Sequence, residues 1–383
     1  MTSLQKTKKR VRAGTVTMFM GAMIAYLIGS GFATGQESMQ YFSSYGAAGA
    51  AGALVITLAF YVYFCTVVLR DASNLRLKSA NDIFTYYCGK YIGGFFGVAT
   101  PAFLYAMYAV MLSGAGAVLN QQLGWNNQVG IFAMAIAALL TVMLGLDGLV
   151  AVVSKVGPII VALALIVGTA GIIMKPQGIA ESAETLPNIE VLQAAPNWAI
   201  SGFIFPALGL LMLVPFLAGL GRKAQNDTEA KVSGFVGAAT FVAVTGVVAY
   251  GLLANIGDVY DKQIPMLEVA QQMFAGSAII FTFILLAGIY TTAVPLLWVA
   301  INRIERQDRS KKAKILAVIG TTVALLLAQI PFASFVNILY PIGGYVTQIL
   351  LICIVVRQIR NHRDRKRGLD VYDVPFERLD AKA

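Results

Sequence analysis

The sequence predicts an all-α polytopic membrane protein, with ten transmembrane helices in two five-helix halves of inverted topology and both termini cytoplasmic. Three observations carry this reading. The 383-residue chain is 58% hydrophobic and only 13% charged, against roughly 25% charged residues in soluble domains. Its lysines and arginines fall at one set of segment ends: of the 29, only Lys175 and Lys262 lie on the other side. Cationic loops stay in the cytoplasm, so this bias sets the orientation. Finally, the first apolar segment of each half contains residues that interrupt helices. The apolar runs are continuous rather than alternating, which argues against a β-barrel.

Each span is an apolar stretch close to the roughly 20 residues that a bilayer requires. After a cytoplasmic tail, 1–14, the first half (15–174) holds spans at 15–42, 46–69, 92–119, 129–146 and 151–174. An external loop, 175–197, follows. The second half (198–356) holds spans at 198–220, 232–254, 277–301, 314–330 and 334–356, and a cytoplasmic tail occupies 357–383. As one helix, 263–301 would run about 58 Å at 1.5 Å per residue, too long for a bilayer. A split at Ala275-Gly276-Ser277 makes IPMLEVAQQMF a short external helix with Pro265 at its start and leaves Glu268 outside the core. The basic start MTSLQKTKKRVR precedes an apolar run too long for a cleaved signal peptide.

Several function classes fall away. Cys65, Cys88 and Cys353 are scattered without metal or disulfide spacing. The single histidine, His362, sits in the charged tail, so a His-based site within the membrane is excluded. There is no GxxxxGK[ST] or HExxH motif, so neither an ATP-driven pump nor a metalloenzyme is expected. No enzyme activity and no cofactor are expected. The net charge of +10 is accounted for by topology rather than by nucleic-acid binding. The expected partners are the bilayer and a small solute; oligomeric state is left open.

The first span contains IGSGFATGQE, residues 28–37. A helix broken here exposes backbone groups, tolerated in lipid only where protein or a wet cavity covers them. The N–H groups of the outer half-helix favour an anion, the free carbonyls of the inner half favour a cation, and glycine permits close approach to the backbone. Close helix packing through small residues is the plainer alternative. The sixth span, with Pro206, Gly209 and Pro215, is expected to break at the matching position of the second half. Paired breaks of this kind point to a transporter's binding site.

GSGFATGQE behind a basic N-terminus, supported by DKQIPMLEVAQQ before the eighth span, resembles the YkvI-like bacterial membrane proteins. These belong to the amino acid–polyamine–organocation group, whose LeuT-type fold has five plus five helices with helices 1 and 6 broken. The resemblance implies that Gly29, Ser30 and Gly31 hold a substrate carboxylate. It also implies a sodium site between helices 1 and 8, with carbonyls from Ala25, Ile28 and Gly288 and hydroxyls from Thr291 and Thr292. The competing role for the two threonines is hydrogen bonding within their own helix. Lys155 is a rival, as a proton carrier where sodium would sit or as a lysine snorkelling to the interface.

Thr34, Gln36 and Glu37 extend the site. Glu37 pairs with a substrate amine, carries a proton, or complements the outer half-helix dipole. Tyr105 and Tyr108 in span 3 are candidates to close over the substrate, and Phe205, with Phe203, to gate it; packing is the alternative for each. Gly209 marks the second break. Asn337 and Tyr340 are read as cross-helix hydrogen bonders. The function expected is sodium-coupled symport of a small zwitterionic or carboxylated solute, an amino acid or derivative, in the bacterial inner membrane. Proton coupling through Lys155 or Glu37, a non-transporting solute sensor and an uncoupled channel are the alternatives.

Overall fold

The computed structural model describes residues 11–28, 30–75, 77, 82–144, 147–305 and 310–372, and all regular structure among them is helical. The first span is three pieces: α1 (Ala13–Leu27), α2 (Ser30–Ala33) and α3 (Gln36–Tyr41). Ile28 leaves helical geometry at φ −87°, ψ 79°. Gly35 then starts α3 from the left-handed region at φ 88°, where a side chain would be strained. Next come α4 (Gly46–Asn74), α5 (Asp82–Leu123), α6 (Asn127–Leu144), α7 (Asp147–Met174) and the short α8 (Gly178–Thr185). The long α5 is bent at Gly89, φ 72°, so helix precedes the start expected at 92.

The second half opens with α9 (Trp198–Gly221), followed by α10 (Asp227–Ala254), α11 (Ile256–Val259), α12 (Pro265–Gln271), α13 (Ser277–Ile304), α14 (Lys311–Leu327) and α15 (Phe332–Lys366). Local chemistry sets several starts. Asn197 accepts from Ile200 N at 3.0 Å, Asn226 from Glu229 N at 2.8 Å and Ser310 from Ala313 N at 3.0 Å, each satisfying a donor with no partner inside its helix. Gly276, at φ 93°, separates α12 from α13, where the length argument placed the split.

Among the described residues, each apolar segment read from the sequence coincides for most of its length with helix, apart from the breaks in the first. Six helical stretches, Gln36–Asn74, Asp82–Leu123, Trp198–Gly221, Asp227–Ala254, Ser277–Ile301 and Phe332–Lys366, are each long and apolar enough to cross a bilayer. Ile159–Met174 with Gly178–Asn188 makes a seventh only as a pair bent by 81°. Ala13–Ile24 and Asn127–Met143 are apolar but shorter.

The expected break in the sixth span is corrected: α9 is one continuous helix containing Pro206 and Pro215. A proline lacks the N–H that would pair with the carbonyl four residues earlier. For Pro206 that carbonyl is Gly202 O, and Thr57 Oγ1 of α4 donates to it at 3.3 Å. At Pro215 the carbonyl four residues earlier is Leu211 O, and Tyr26 OH donates to its neighbour Met212 O at 3.2 Å. At Pro206 a hydroxyl from a neighbouring helix thus takes up the freed carbonyl, and the helix does not open there.

Packing divides the bundle. α4 lies against α9 and α10, and α1 against α10. α5 packs on α6 and α13, α7 bridges α10 and α13, and α15 joins α9 to α5. The broken first span runs between these two groups, so its break lies at their junction.

Candidate solute-binding site

A cavity of about 280 Å³ opens at the break. Gly31, Phe32 and Glu37 form one wall; Phe205 and Gly209 of α9 and Tyr340 of α15 are among the residues facing them. Tyr61 of α4, Met107 and Met111 of α5, Phe241 of α10, and Thr291 and Thr292 of α13 complete the walls. The lining is mostly aromatic and aliphatic. Glu37 is its one charged residue among those described, and no lysine, arginine or histidine joins it.

Gly31 exists as glycine for a visible reason. A Cβ there would fall 2.7 Å from Glu37 Oε1 and 2.9 Å from Tyr340 OH. The carboxylate and the phenol therefore converge on the backbone of the break, and Tyr340 lies within electrostatic reach of Glu37. At Gly209 the same logic holds across helices, because a Cβ would overlap the Tyr61 hydroxyl. Gly209 thus serves close approach of α4 to α9, not an unwound backbone. Phe205 sits between Phe42, at 4.9 Å between centroids, and Phe241, at 6.4 Å.

The break is knitted on one side. Thr34 Oγ1 donates to Gly31 O at 2.6 Å and accepts from Gln36 N at 3.3 Å, and Met266 N donates to Thr34 O at 3.0 Å. Gln36 Nε2 donates to Lys262 O at 2.6 Å, and Gln40 Nε2 donates to Gln36 Oε1 at 2.8 Å and to Ala333 O at 3.1 Å. Asn337 Nδ2 donates to Gln40 Oε1 at 3.1 Å and to Gln193 O at 2.9 Å, the cross-helix role read for it. This lattice of uncharged amides closes the cavity toward α12 and the 175–197 loop. In the opposite direction the lining continues through Met212, Leu296 and Val299 to Tyr26, which is 40% exposed. The cavity opens toward the ends of α9 and α13 that lead into the basic loops.

The candidate residues separate accordingly. Gly31, Glu37, Phe205, Gly209, Thr291 and Thr292 line the cavity. Thr34 and Gln36 are buried in the closing lattice instead. Tyr105 and Tyr108 lie outside the described cavity wall. Tyr105 OH donates to Gly320 O of α14 at 2.6 Å, and fully buried Tyr108 packs beside it with ring centroids 6.5 Å apart. The register of α5 turns Met107 and Met111 to the cavity and these tyrosines to α14. Phe203 is exposed on the outer surface against Phe60, centroids 5.0 Å apart.

Of the residues assigned to the ion, Thr291 and Thr292 both donate to Gly288 O, at 3.0 and 2.9 Å. Each hydroxyl hydrogen is committed within the helix, while the oxygen lone pairs stay free to accept or ligate. Gly29 and the side chains of Ala25, Ser30 and Lys155 lie outside the described residues. Among the described residues, no three His, Cys, Asp or Glu side chains come together. Sequence reasoning missed Tyr26, Tyr61 and Phe241 as lining residues. They are apolar-span aromatics with no local signature, and only the packing of α1, α4 and α10 aims them inward.

No protein-family model matches the chain. The membrane protein YkvI of Bacillus subtilis is 24% identical over 334 residues, covering 87% of this chain and 93% of that protein. The protein YyaD of the same organism is 24% identical over 356 residues, covering 91% and 98%. Among solved structures, the inward-facing conformation of Mhp1 superposes with a TM-score of 0.61 at 14% identity, covering 91% of this chain and 77% of Mhp1. A manganese transporter of Eremococcus coleocola gives 0.55 at 12% identity, covering 88% and 77%. MhsT in complex with L-phenylalanine gives 0.55 at 16% identity, covering 88% of each chain. The chain is a homologue of the membrane protein YkvI and of YyaD, built on the LeuT-type fold that Mhp1 and MhsT share.

Proposed function

We propose that the protein is a secondary active transporter that binds a small, amine-bearing solute with an apolar body at the break in its first membrane helix. One observation carries the reading: a single carboxylate, Glu37, faces a mostly aromatic and aliphatic cavity whose described walls supply no cation. A carboxylate removed from water costs several kcal/mol unless it is paired or protonated. A solute ammonium supplies the missing partner, and the surrounding rings accommodate the rest of the solute. A zwitterion such as an amino acid places its carboxylate at the backbone of Gly29, Ser30 and Gly31, with its amine toward Glu37. Proteins of this fold include transporters, and one of them, MhsT, holds L-phenylalanine, which supports this class of cargo. A lone carboxylate suits an organic amine better than a divalent metal, which takes several oxygen or nitrogen ligands.

Sodium is the coupling ion in this proposal, taken between the carbonyls of Ala25, Ile28 and Gly288 and the hydroxyls of Thr291 and Thr292. Support comes from the two threonine oxygens, which keep their lone pairs beside the break. Ion and solute then favour each other's binding by the same factor. Glu37 itself sustains a second reading, in which a proton occupies the carboxylate when no amine is present and is the coupled ion.

Uptake into proteoliposomes separates these readings. An imposed inward sodium gradient should drive accumulation of an amine-bearing amino acid at constant pH. Accumulation that follows an imposed pH gradient and ignores sodium moves coupling to Glu37. Binding without flux under either gradient assigns the protein to solute sensing and overturns transport.

A further inference from the structure

Away from the central cavity, a groove of about 320 Å³ opens on the outside of the bundle between α4 and α10. Its walls are Thr66, Val67 and Arg70 from α4 and Lys231, Val232 and Phe235 from α10. Its level is fixed by neighbours. Asn74 Nδ2 donates to Asp227 Oδ1 at 2.8 Å, and Arg12 Nε meets Glu229 Oε1 at 2.9 Å. The end of α4, the start of α10 and the start of α1 therefore share one end of the bundle, the end that also carries Arg222 and Lys223. Arg70 and Lys231 lie about one helical turn inside it.

The two cations differ. Arg70 is held rigidly, its Nε and Nη2 donating to Asp71 Oδ1 at 3.0 and 2.7 Å and Nη2 also to Gln358 Oε1 at 2.5 Å. Asp71 is fully buried and balances its charge, while Arg70 Nη1 donates to none of the described residues. Lys231 is exposed and makes no ion pair with the described residues. The groove thus offers one unbalanced positive charge beside a fixed guanidinium edge. Thr66 spends its hydroxyl hydrogen on Val62 O, at 2.7 Å, and adds no donor. From this polar end an apolar strip runs along Val67, Val232 and Phe235, with Phe235 54% exposed on the outer surface.

We propose that the groove binds an anionic glycerophospholipid, its phosphodiester between Lys231 Nζ and Arg70 Nη1 and an acyl chain along Val67, Val232 and Phe235. A single phosphodiester charge matches the single unbalanced cation. A zwitterionic headgroup brings an ammonium toward the same two cations and is disfavoured. The apolar strip gives a lipid burial that a free phosphate lacks. Basic pockets between membrane helices at the cytoplasmic face are the setting in which such headgroups are held.

Native mass spectrometry of the full-length protein, released from detergent, tests this. The probes are phosphatidylglycerol, phosphatidylcholine with the same acyl chains, and inorganic phosphate. Phosphatidylglycerol should be retained one to one at lower concentration than phosphatidylcholine, with phosphate not retained. Lys231→Ala should weaken phosphatidylglycerol retention about five-fold, Lys231→Arg should restore it, and phosphatidylcholine should not respond. Lys231 is exposed, so both variants should remain monodisperse on size exclusion. Equal retention of the two lipids, or phosphatidylglycerol retention unchanged in Lys231→Ala, overturns the site. Phosphate retained as tightly as phosphatidylglycerol replaces the lipid with a soluble anion and overturns the lipid assignment.

Discussion

At the scale of single residues, Gly31 is the most constrained position in the site. Two oxygens, Glu37 Oε1 and Tyr340 OH, stand where its side chain would be. Gly31→Val should therefore displace the carboxylate and abolish solute binding by titration calorimetry while leaving the far-UV dichroism helical. Retained affinity would place the solute elsewhere. Part of this site was legible without coordinates. Gly31 and Glu37 belong to a cluster of small and polar residues that has no reason to sit in an uninterrupted apolar helix. Tyr340 was noticed for its hydroxyl but not for its place beside Glu37, because that neighbour is about 300 positions away. Tyr105 and Tyr108 show the converse. Their type and depth suited a solute lid, yet the rotation of α5 about its axis, which neighbouring helices set, turns them to α14 and leaves Met107 and Met111 facing the cavity.

At the scale of elements, length was a reliable guide, glycine marked Gly35 and Gly276 but not Gly209 of α9, and proline marked no break in α9. The breaks at Ile28 and Gly35 and the separation of α12 from α13 at Gly276 follow from local backbone chemistry. The continuity of α9 at Pro206 does not, since Thr57 from another helix reaches the carbonyl that the proline leaves free. Removing that donor should show the repair. Thr57→Val leaves Gly202 O without its donor, costs about 1 kcal/mol and lowers the thermal midpoint by on the order of 1 °C. A variant as stable as the parent would mean that the carbonyl needs no partner. Outside the membrane, Lys175 Nζ meets Asp258 Oδ2 at 2.5 Å and holds that carboxyl below its ordinary value of 3.8, with Gln272 assisting against desolvation. A lowered carboxylate pKa stabilises the fold above the unfolded value, and the contribution is lost as pH falls through the folded one. Both side chains are about 40% exposed, so the pair contributes at most about 1 kcal/mol. Lys175→Ala should lower stability slightly at neutral pH and flatten its decline below about pH 4, read by denaturation across a pH series. An unchanged acid limb would remove the ion pair from that decline.

At the scale of the molecule, the amide lattice around Gln36, Gln40 and Asn337 closes one end of the cavity while the other stays open past Tyr26. A transporter must be able to reverse this asymmetry. Because the lattice is uncharged, Gln40→Ala should loosen it independently of pH, raising the reactivity of a cysteine placed at buried Ser38 toward a membrane-impermeant thiol reagent. No gain in labelling would mean the closure rests on packing alone. The helical class and the order of the helices were readable because a bilayer demands long apolar segments. The closing lattice was not, because its amides are scattered over four segments that only the fold unites. The proposed transport rests on Glu37 receiving the amine of a solute at the helix break. The most direct test is the melting temperature of the purified protein across a panel of amino acids and amines, in sodium and in choline, compared with Glu37→Gln. A ligand that binds only the folded state raises that temperature by mass action. At least one amine-bearing solute should stabilise the protein, more strongly in sodium, and the effect should disappear in Glu37→Gln. Stabilisation that survives unchanged in Glu37→Gln, or is absent for every amine tested, would contradict that role of Glu37.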